Sequence, residues 1–175
     1  MIWYTALVLA VAAERLAELA VALRNARWSL ARGGTEAGRG HYPVMVALHT
    51  ALLAACLAEA WLAGRPFLPW SGWAMVAVVA AAQGLRWWCV RTLGRRWNTR
   101  VIVVPGLPLV TGGPYRWMRH PNYVAVAAEG AALPLVHGAW VTAVLFTVLN
   151  AALMTVRIRC EDGALDRLAG ADAHA

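Results

Sequence analysis

Lysine is absent from this chain: all sixteen basic residues are arginine, set against nine acidic ones, for a net charge of +7. Charge of either sign is scarce, at 14% of residues, while 61% are hydrophobic. A water-soluble domain of 175 residues needs more polar surface than that, so lipid must be part of the solvent. A nucleic-acid binder is disfavoured too, because the arginines fall between apolar segments and do not form a soluble patch. The three cysteines, Cys56, Cys89 and Cys160, are far apart and lack metal-ligand spacing, which removes zinc and a disulfide framework from consideration. They read as small buried hydrophobes. The start, Met1-Ile2-Trp3-Tyr4, has no basic n-region, which argues against a cleaved signal peptide. Internal repeats and low-complexity linkers are also missing. Abundant Ala, Gly and Arg fit a GC-rich, bacterial genome.

What is present is a series of apolar runs. A bilayer core takes about 20 apolar residues per helix. Candidates run from Ile2 to about Leu23, Tyr42 to Leu62, Phe67 to about Val90, Asn122 to Val136, and His137 to about Ile158. The expected fold is therefore all-α, a single domain of five membrane helices. The fourth segment, roughly 15 residues or about 22 Å, is short for a crossing. It is joined to the fifth by almost nothing, which predicts a tight hairpin.

Loop charge sets the expected orientation. Arg24, Arg27, Arg32 and Arg39 follow the first segment, whereas Arg65 alone separates the second and third. Arg91, Arg95, Arg96, Arg100, Arg116 and Arg119 follow the third, none lies at the hairpin tip, and Arg157, Arg159 and Arg167 end the chain. Basic and neutral loops alternate as five crossings require. The amino terminus is expected outside, with the carboxyl terminus and the longest polar loop in the cytosol.

The segment from Pro105 to Tyr123 is rich in Gly and Pro, so its backbone is irregular and leaves N–H and C=O groups free. It leads straight into a helix with Pro121 in the first turn, whose free amides attract anionic groups. Such a place suits a polar cofactor held against the membrane. The plainer reading is a surface loop whose arginines snorkel to headgroups.

Gly113-Pro114-Tyr115-x-x-x-Arg119-His120-Pro121-x-Tyr123, followed one hairpin later by Arg157-x-x-x-Glu161-Asp162-x-x-Leu165, resembles the isoprenylcysteine carboxyl methyltransferase family. Its wider relatives are the membrane phospholipid methyltransferases. The likeness covers Trp97 to Leu165; the earlier helices match in number and hydrophobicity only. It implies S-adenosylmethionine as cofactor, in a cytosol-facing pocket built from residues 91–121 and 157–168. By that resemblance Leu107, Pro108, Leu109 and Val110 would wrap the cofactor. Tyr115, His120, Pro121, Asn122 and Tyr123 would line its pocket, and Glu161 would hold it. Arg157 would sit near the acceptor oxygen. Arg157 and Glu161 are four residues apart, so they share a face if the helix continues. No metal is implied.

Two positions depart from the family pattern: Ala125 stands where glycine is usual, and Glu161-Asp162 replaces a Glu-Glu pair. Neither removes a required chemical group. NADPH-dependent membrane reductases of the sterol and steroid type resemble the same His-Pro-Asn-Tyr run. They have glycine and then an acid shortly after the tyrosine, where this chain has Val124-Ala125-Val126. A non-enzymatic membrane scaffold or transporter subunit would have no reason to keep the Gly/Pro loop.

Methyl transfer is an in-line displacement in which alignment supplies much of the rate. A carboxylate acceptor is already ionised, whereas a phenol with a pKa near 10 must lose a proton. Arg157 is suited to stabilise the developing oxyanion. Two intramembrane residues are candidates for an accompanying base. Glu129 is one, with pairing to Arg86 or Arg15 as its structural alternative, and His49 is the other. Glu14 and Glu18, flanking Arg15, are expected to anchor the first helix, and Glu59 to be merely interfacial. Trp87, Trp88, Trp97 and Trp117 mark the cytosolic interface, with one or two available to flank an aromatic ligand. The expected acceptor is a lipophilic molecule entering from the bilayer. A phenolic lipid of the alkylresorcinol or alkylpyrone type ranks first, an isoprenylcysteine-like carboxylate second and a phospholipid amine third.

Overall fold

The structure is a computed structural model that describes residues 1–172. It is mostly helical: α1 (Ile2–Leu30), α2 (Tyr42–Leu62), α3 (Pro69–Leu93), α4 (Pro121–Leu135) and α5 (Trp140–Asp172). Among the described residues three helical stretches, Arg39–Leu62, Pro69–Arg96 and Trp140–Arg167, are long and apolar enough to cross a membrane. The apolar run of the continuous helix α1 is interrupted by Glu14, Arg15 and Glu18, and α4 has only 15 residues. Large apolar side chains are exposed on α1 (Leu9, Leu16) and along α5 (Val144, Leu145, Val148, Leu149, Val156). Exposed apolar surface on this scale is what a lipid-facing wall requires.

Three helices begin with proline in the first turn, where its missing N–H costs nothing: Pro43, Pro69 and Pro121. Helix α3 stops at Gly94, which has a positive φ. Three boundaries differ clearly from the hydropathy reading. Helix α1 runs seven residues past Leu23, because Arg24–Leu30 contains no breaker; polarity marks a membrane edge, whereas glycine marks a helix end. Helix α5 likewise continues through Arg157–Asp172, and it starts at Trp140, not His137. Gly138 adopts a left-handed φ of 67°, and Glu59 of α2 then caps the new helix. The Glu59 carboxylate accepts from the Val141 and Thr142 amides at 3.3 and 2.8 Å and from the Thr142 hydroxyl at 2.8 Å. Glu59 also pairs with Arg65 at 3.0 Å, so it is a structural cap and more than an interfacial charge.

The structure is mostly helical, as expected of an all-α chain, and adds two short strands that the sequence reading did not include, β1 (Thr35–Ala37) and β2 (Val101–Val103). They pair antiparallel with Glu36 opposite Ile102. Val101 and Val103 pack with Ala164 of α5 in a small cluster that Ala37 and Leu165 flank. The ladder thus ties the loops after α1 and α3 to the end of α5.

Helix α4 is packed between α3 and α5. A side chain at Gly130 would run into the Phe146 ring, so glycine sets the α4–α5 approach. The Tyr4 hydroxyl donates to the Leu133 carbonyl at 3.1 Å, satisfying a group at the end of α4. Deeper in, a buried ionic cluster joins α1, α3 and α4. The Glu129 carboxylate lies 3.2 Å from Arg15 and 3.0 Å from Arg86. Glu18 lies 2.7 Å from Arg15 and 3.6 Å from Arg86. Glu14 accepts from the Trp87 indole at 2.6 Å and from Gln83.

Removing one member of a buried ion cluster leaves the others uncompensated. Glu129→Leu is therefore expected to destabilise the fold by about 3–5 kcal/mol, seen as a lower unfolding midpoint in detergent. An unchanged midpoint would mean that the cluster is not what holds α1 to α3 and α4.

Candidate active site

The site lies where the end of α3, the loop from residue 94 to residue 120, the start of α4 and the last turns of α5 meet. The loop reaches it through constrained backbone. Gly113 has a φ of 56°, and a Cβ there would strike the Thr92 side chain, so the Gly-Pro-Tyr turn sits tightly on α3. Pro114 is fully buried beneath it, and the Arg96 guanidinium donates to the Pro108 carbonyl at 2.5 Å.

Three cavities lie in a row and share walls. The first, about 310 Å³, is bounded by Leu107, Pro108, Leu109 and Val110 on one side and Tyr115, His120 and Glu161 on another. Tyr115, His120 and Glu161 also border a smaller cavity of about 100 Å³. Its far wall, formed by Trp97, Asn98, Asn122, Tyr123 and Arg157, is shared with a third cavity of about 220 Å³. This third space is mainly apolar, reaching Leu16, Leu19, Val46 and Leu53 of α1 and α2, with Arg15, Glu18, Arg86 and His49 on its polar side.

Arg157 and Tyr123 stand on the shared wall. The Arg157 Nε donates to the Tyr123 hydroxyl oxygen at 2.9 Å, and its Nη2 donates to the Thr99 carbonyl at 2.6 Å. Among the described residues its Nη1 meets only the Met45 thioether, at 2.9 Å, and sulfur is a weak acceptor. The Tyr123 hydroxyl donates to Glu161. The His120 ring stacks on Tyr123, with centroids 5.3 Å apart and planes 14° from parallel, and its Nε2 lies 3.1 Å from Asp162. Burial pushes the Tyr115 phenol well above its ordinary pKa, and the neighbouring Cys89, Glu161 and Tyr123 add to the effect. Tyr115 is therefore neutral at any physiological pH.

Most residues singled out from the sequence converge here. Leu107–Val110, Tyr115, His120, Asn122, Tyr123, Arg157 and Glu161 all border the cavities, and Arg157 and Glu161 fall on one continuous helix. Pro121 is buried beneath them, starting α4. His49 borders the apolar cavity, its Nδ1 2.8 Å from the Met45 carbonyl and its ring edge-on to Phe146. Glu129 lies in the ionic cluster with both Arg15 and Arg86, and is not brought to Arg157 or Tyr123. Ala125 is buried, and Trp97 is buried with its indole N–H unpartnered, whereas Trp88 and Trp117 are exposed and pack edge to face. Thr99 and Met45 escape the sequence reading. One acts through its backbone carbonyl and the other through a thioether in an apolar helix, and neither leaves a chemical signature in a string of residues.

The family model for the isoprenylcysteine carboxyl methyltransferase family matches residues 75–167, the stretch that builds this site. A protein of Bacillus subtilis (strain 168), described as the uncharacterized protein YpbQ, is 42% identical over 166 residues, covering 94% of this chain and 96% of that one. The family match and the long apolar helices thus mark an integral membrane protein of the methyltransferase class. The chain belongs to the isoprenylcysteine carboxyl methyltransferase family.

Gly113→Ala combines an unfavourable φ with a contact against Thr92. It is expected to cost roughly 1–3 kcal/mol of stability, read as a lowered unfolding midpoint. A neutral outcome would show that the turn is not constrained as described.

Proposed function

We propose that the protein transfers a methyl group from S-adenosylmethionine to the oxygen of a lipophilic acceptor. The observation that carries the reading is the shared wall: Arg157 and Tyr123 face both a polar space beside the loop and an apolar space open towards the lipid-facing helices. A water-soluble methyl donor and a bilayer-soluble acceptor must meet at just such a boundary.

The residues fit the cofactor chemically. Buried polar atoms without a protein partner, Asn122 Oδ1 and Trp97 Nε1, lie along the wall, where a ligand can satisfy them. Leu107, Leu109, Ile102 and Val103 offer an apolar surface to a flat base. Glu161 and His120 supply charge and hydrogen bonding for an amino-acid moiety and a sulfonium. When bound, the cofactor supplies an activated methyl carbon. The chain's own part is to align, to exclude water and to manage charge on the acceptor. Arg157 is held by Tyr123 and Thr99 with Nη1 on a weak acceptor, so that N–H is free to exchange Met45 sulfur for an acceptor oxygen. This favours an acceptor that develops negative charge. A phenolic lipid of the alkylresorcinol or alkylpyrone type ranks first and an isoprenylcysteine-like carboxylate second.

In this reading the five helices make five crossings of a bacterial cytoplasmic membrane. The arginine-rich loops and the site face the cytosol, and α4 and α5 form a hairpin whose tip lies on the other side. The distribution of arginines and the short Val136–Ala139 connection support that arrangement.

S-Adenosylhomocysteine at a hundred times its dissociation constant is expected to add about 2.7 kcal/mol of stability, raising the melting midpoint of the detergent-purified protein by roughly 5–10 °C. Glu161→Ala should remove that shift. A shift with NADPH alone would overturn the reading in favour of a reductase. Arg157→Ala is expected to lower kcat by about 10²–10³ with the S-adenosylhomocysteine shift intact, and Arg157→Lys should not restore it, since one ammonium cannot reach three partners. Full transfer by Arg157→Ala would remove Arg157 from the mechanism.

A further inference from the structure

We propose that Tyr123 and Glu161 form a proton relay that takes the proton from a hydroxyl acceptor as the methyl group is transferred. The inference rests on the methyl-transfer reading and deepens it, because it supplies the base and specifies an acceptor that arrives protonated.

A phenolic oxygen has one proton to give and two lone pairs to receive. In Tyr123 the proton is committed to Glu161, and one lone pair accepts from Arg157 Nε at 2.9 Å. The second lone pair is left for a group in the apolar cavity, whose wall Tyr123 forms. His120, stacked on the ring, and Arg157 fix its orientation. Glu161 faces the cavities beside the loop, its side chain 31% exposed, with His120 Nδ1 at 4.0 Å. The hydrogen-bonded line therefore runs from the apolar cavity, through Tyr123, to a carboxylate with access to water. Of the other carboxylates near the apolar cavity, Glu129 is held by Arg15 and Arg86, and Glu18 pairs through Oε2 with Arg15 at 2.7 Å, its Oε1 lying 3.6 Å from Arg86 without a hydrogen bond among the described residues.

The order of events follows from acidity. Glutamate and an ordinary phenol differ by roughly 6 pKa units, so full deprotonation before attack is about a millionfold unfavourable. Once the acceptor oxygen begins to bond to the methyl carbon, its O–H becomes strongly acidic and the transfer runs downhill. The new oxygen–carbon bond forms as the carbon–sulfur bond breaks, and that electron pair returns to sulfur. The acceptor's proton passes to the Tyr123 oxygen while Tyr123's own proton passes to Glu161. The products are a methyl ether, a neutral thioether and a protonated Glu161, which returns its proton to water. Arg157, touching the Tyr123 oxygen, limits the negative charge that builds there in transit.

The test compares 3-pentadecylphenol with its ring-nitrated analogue, whose hydroxyl is far more acidic and largely ionised at mildly alkaline pH. Tyr123→Phe is expected to lower kcat on 3-pentadecylphenol by about 10²–10³ and on the ionised analogue by less than about tenfold. The residual rate on 3-pentadecylphenol should climb with pH, while the S-adenosylhomocysteine shift in melting midpoint is retained. Equal losses on both acceptors at every pH would overturn the relay and make Tyr123 a positioning residue. A measurement on the unaltered protein guards against a variant that fails to fold. Two protons moving in one step should bow the plot of single-turnover rate against deuterium fraction, and the absence of any solvent isotope effect would overturn the relay. An S-adenosylhomocysteine shift without transfer to either phenol overturns the relay and leaves cofactor binding standing; neither shift nor transfer overturns both.

Discussion

An arginine placed among apolar helices needs acceptors from the protein, and Arg15 and Arg86 both turn an Nη2 to the Glu129 carboxylate, while the buried Nε of each has no hydrogen-bond partner among the described residues. That requirement fixes the relation of three helices. Charge at this depth is tolerable only when paired and hydrogen-bonded, so Glu18, Gln83, Glu14 and the Trp87 indole are drawn into the same cluster. Helices α1, α3 and α4 are consequently joined by polar contacts, whereas α2 meets the others mainly through apolar packing and the Glu59 cap. The apolar cavity opens beside that less polar contact, with Leu16 and Leu19 of α1 facing Val46 and Leu53 of α2. Its polar side is the back of the ionic cluster.

The other end of the molecule obeys a complementary constraint. Irregular backbone is excluded from hydrocarbon, so a Gly/Pro loop belongs at the interface or against protein. Here it is pinned by a ladder of only three residues per strand. Pairing with β1 brings β2 onto the last turns of α5, and Thr99, two residues before β2, presents its carbonyl to Arg157. The ladder contributes little stability by itself, yet it decides which way the most exacting side chain of the site can point.

Much of the site was legible because its chemistry is written in residue types at fixed spacing. Arg157 and Glu161 lie one turn apart on an uninterrupted helix, and the Gly113–Tyr123 run marks a constrained turn followed by a helix start. The limits of α2 agree with its hydropathy because His41-Tyr42-Pro43 and Gly64 put helix signals at the same places as the polarity changes. In α1 and α5 those signals separate, and the hydropathy reading stops early. The β ladder was not legible: Val101-Ile102-Val103 has the β-branched character of a strand, but its partner Thr35-Glu36-Ala37 does not, and pairing across some 66 positions has no local signature. Glu59 was misjudged because its partners, the α5 amides, lie far along the chain and any residue type supplies them.

Glu161 illustrates why residue-by-residue roles are incomplete in so small an enzyme. It borders the cavity assigned to the cofactor and also receives the Tyr123 proton, so one carboxylate touches both halves of the proposed reaction. That economy has a physical basis. In the proposed reaction a carboxylate facing a sulfonium would balance the donor's positive charge before transfer, and the same group would become a better proton acceptor when that charge disappears. Loss of the sulfonium charge and gain of a proton by Glu161 would then offset one another, and net charge at the junction would stay constant through the step. In a site walled on one side by lipid-facing helices, where uncompensated charge costs several kcal/mol, constancy of charge favours a concerted transfer over a path that ionises the acceptor first.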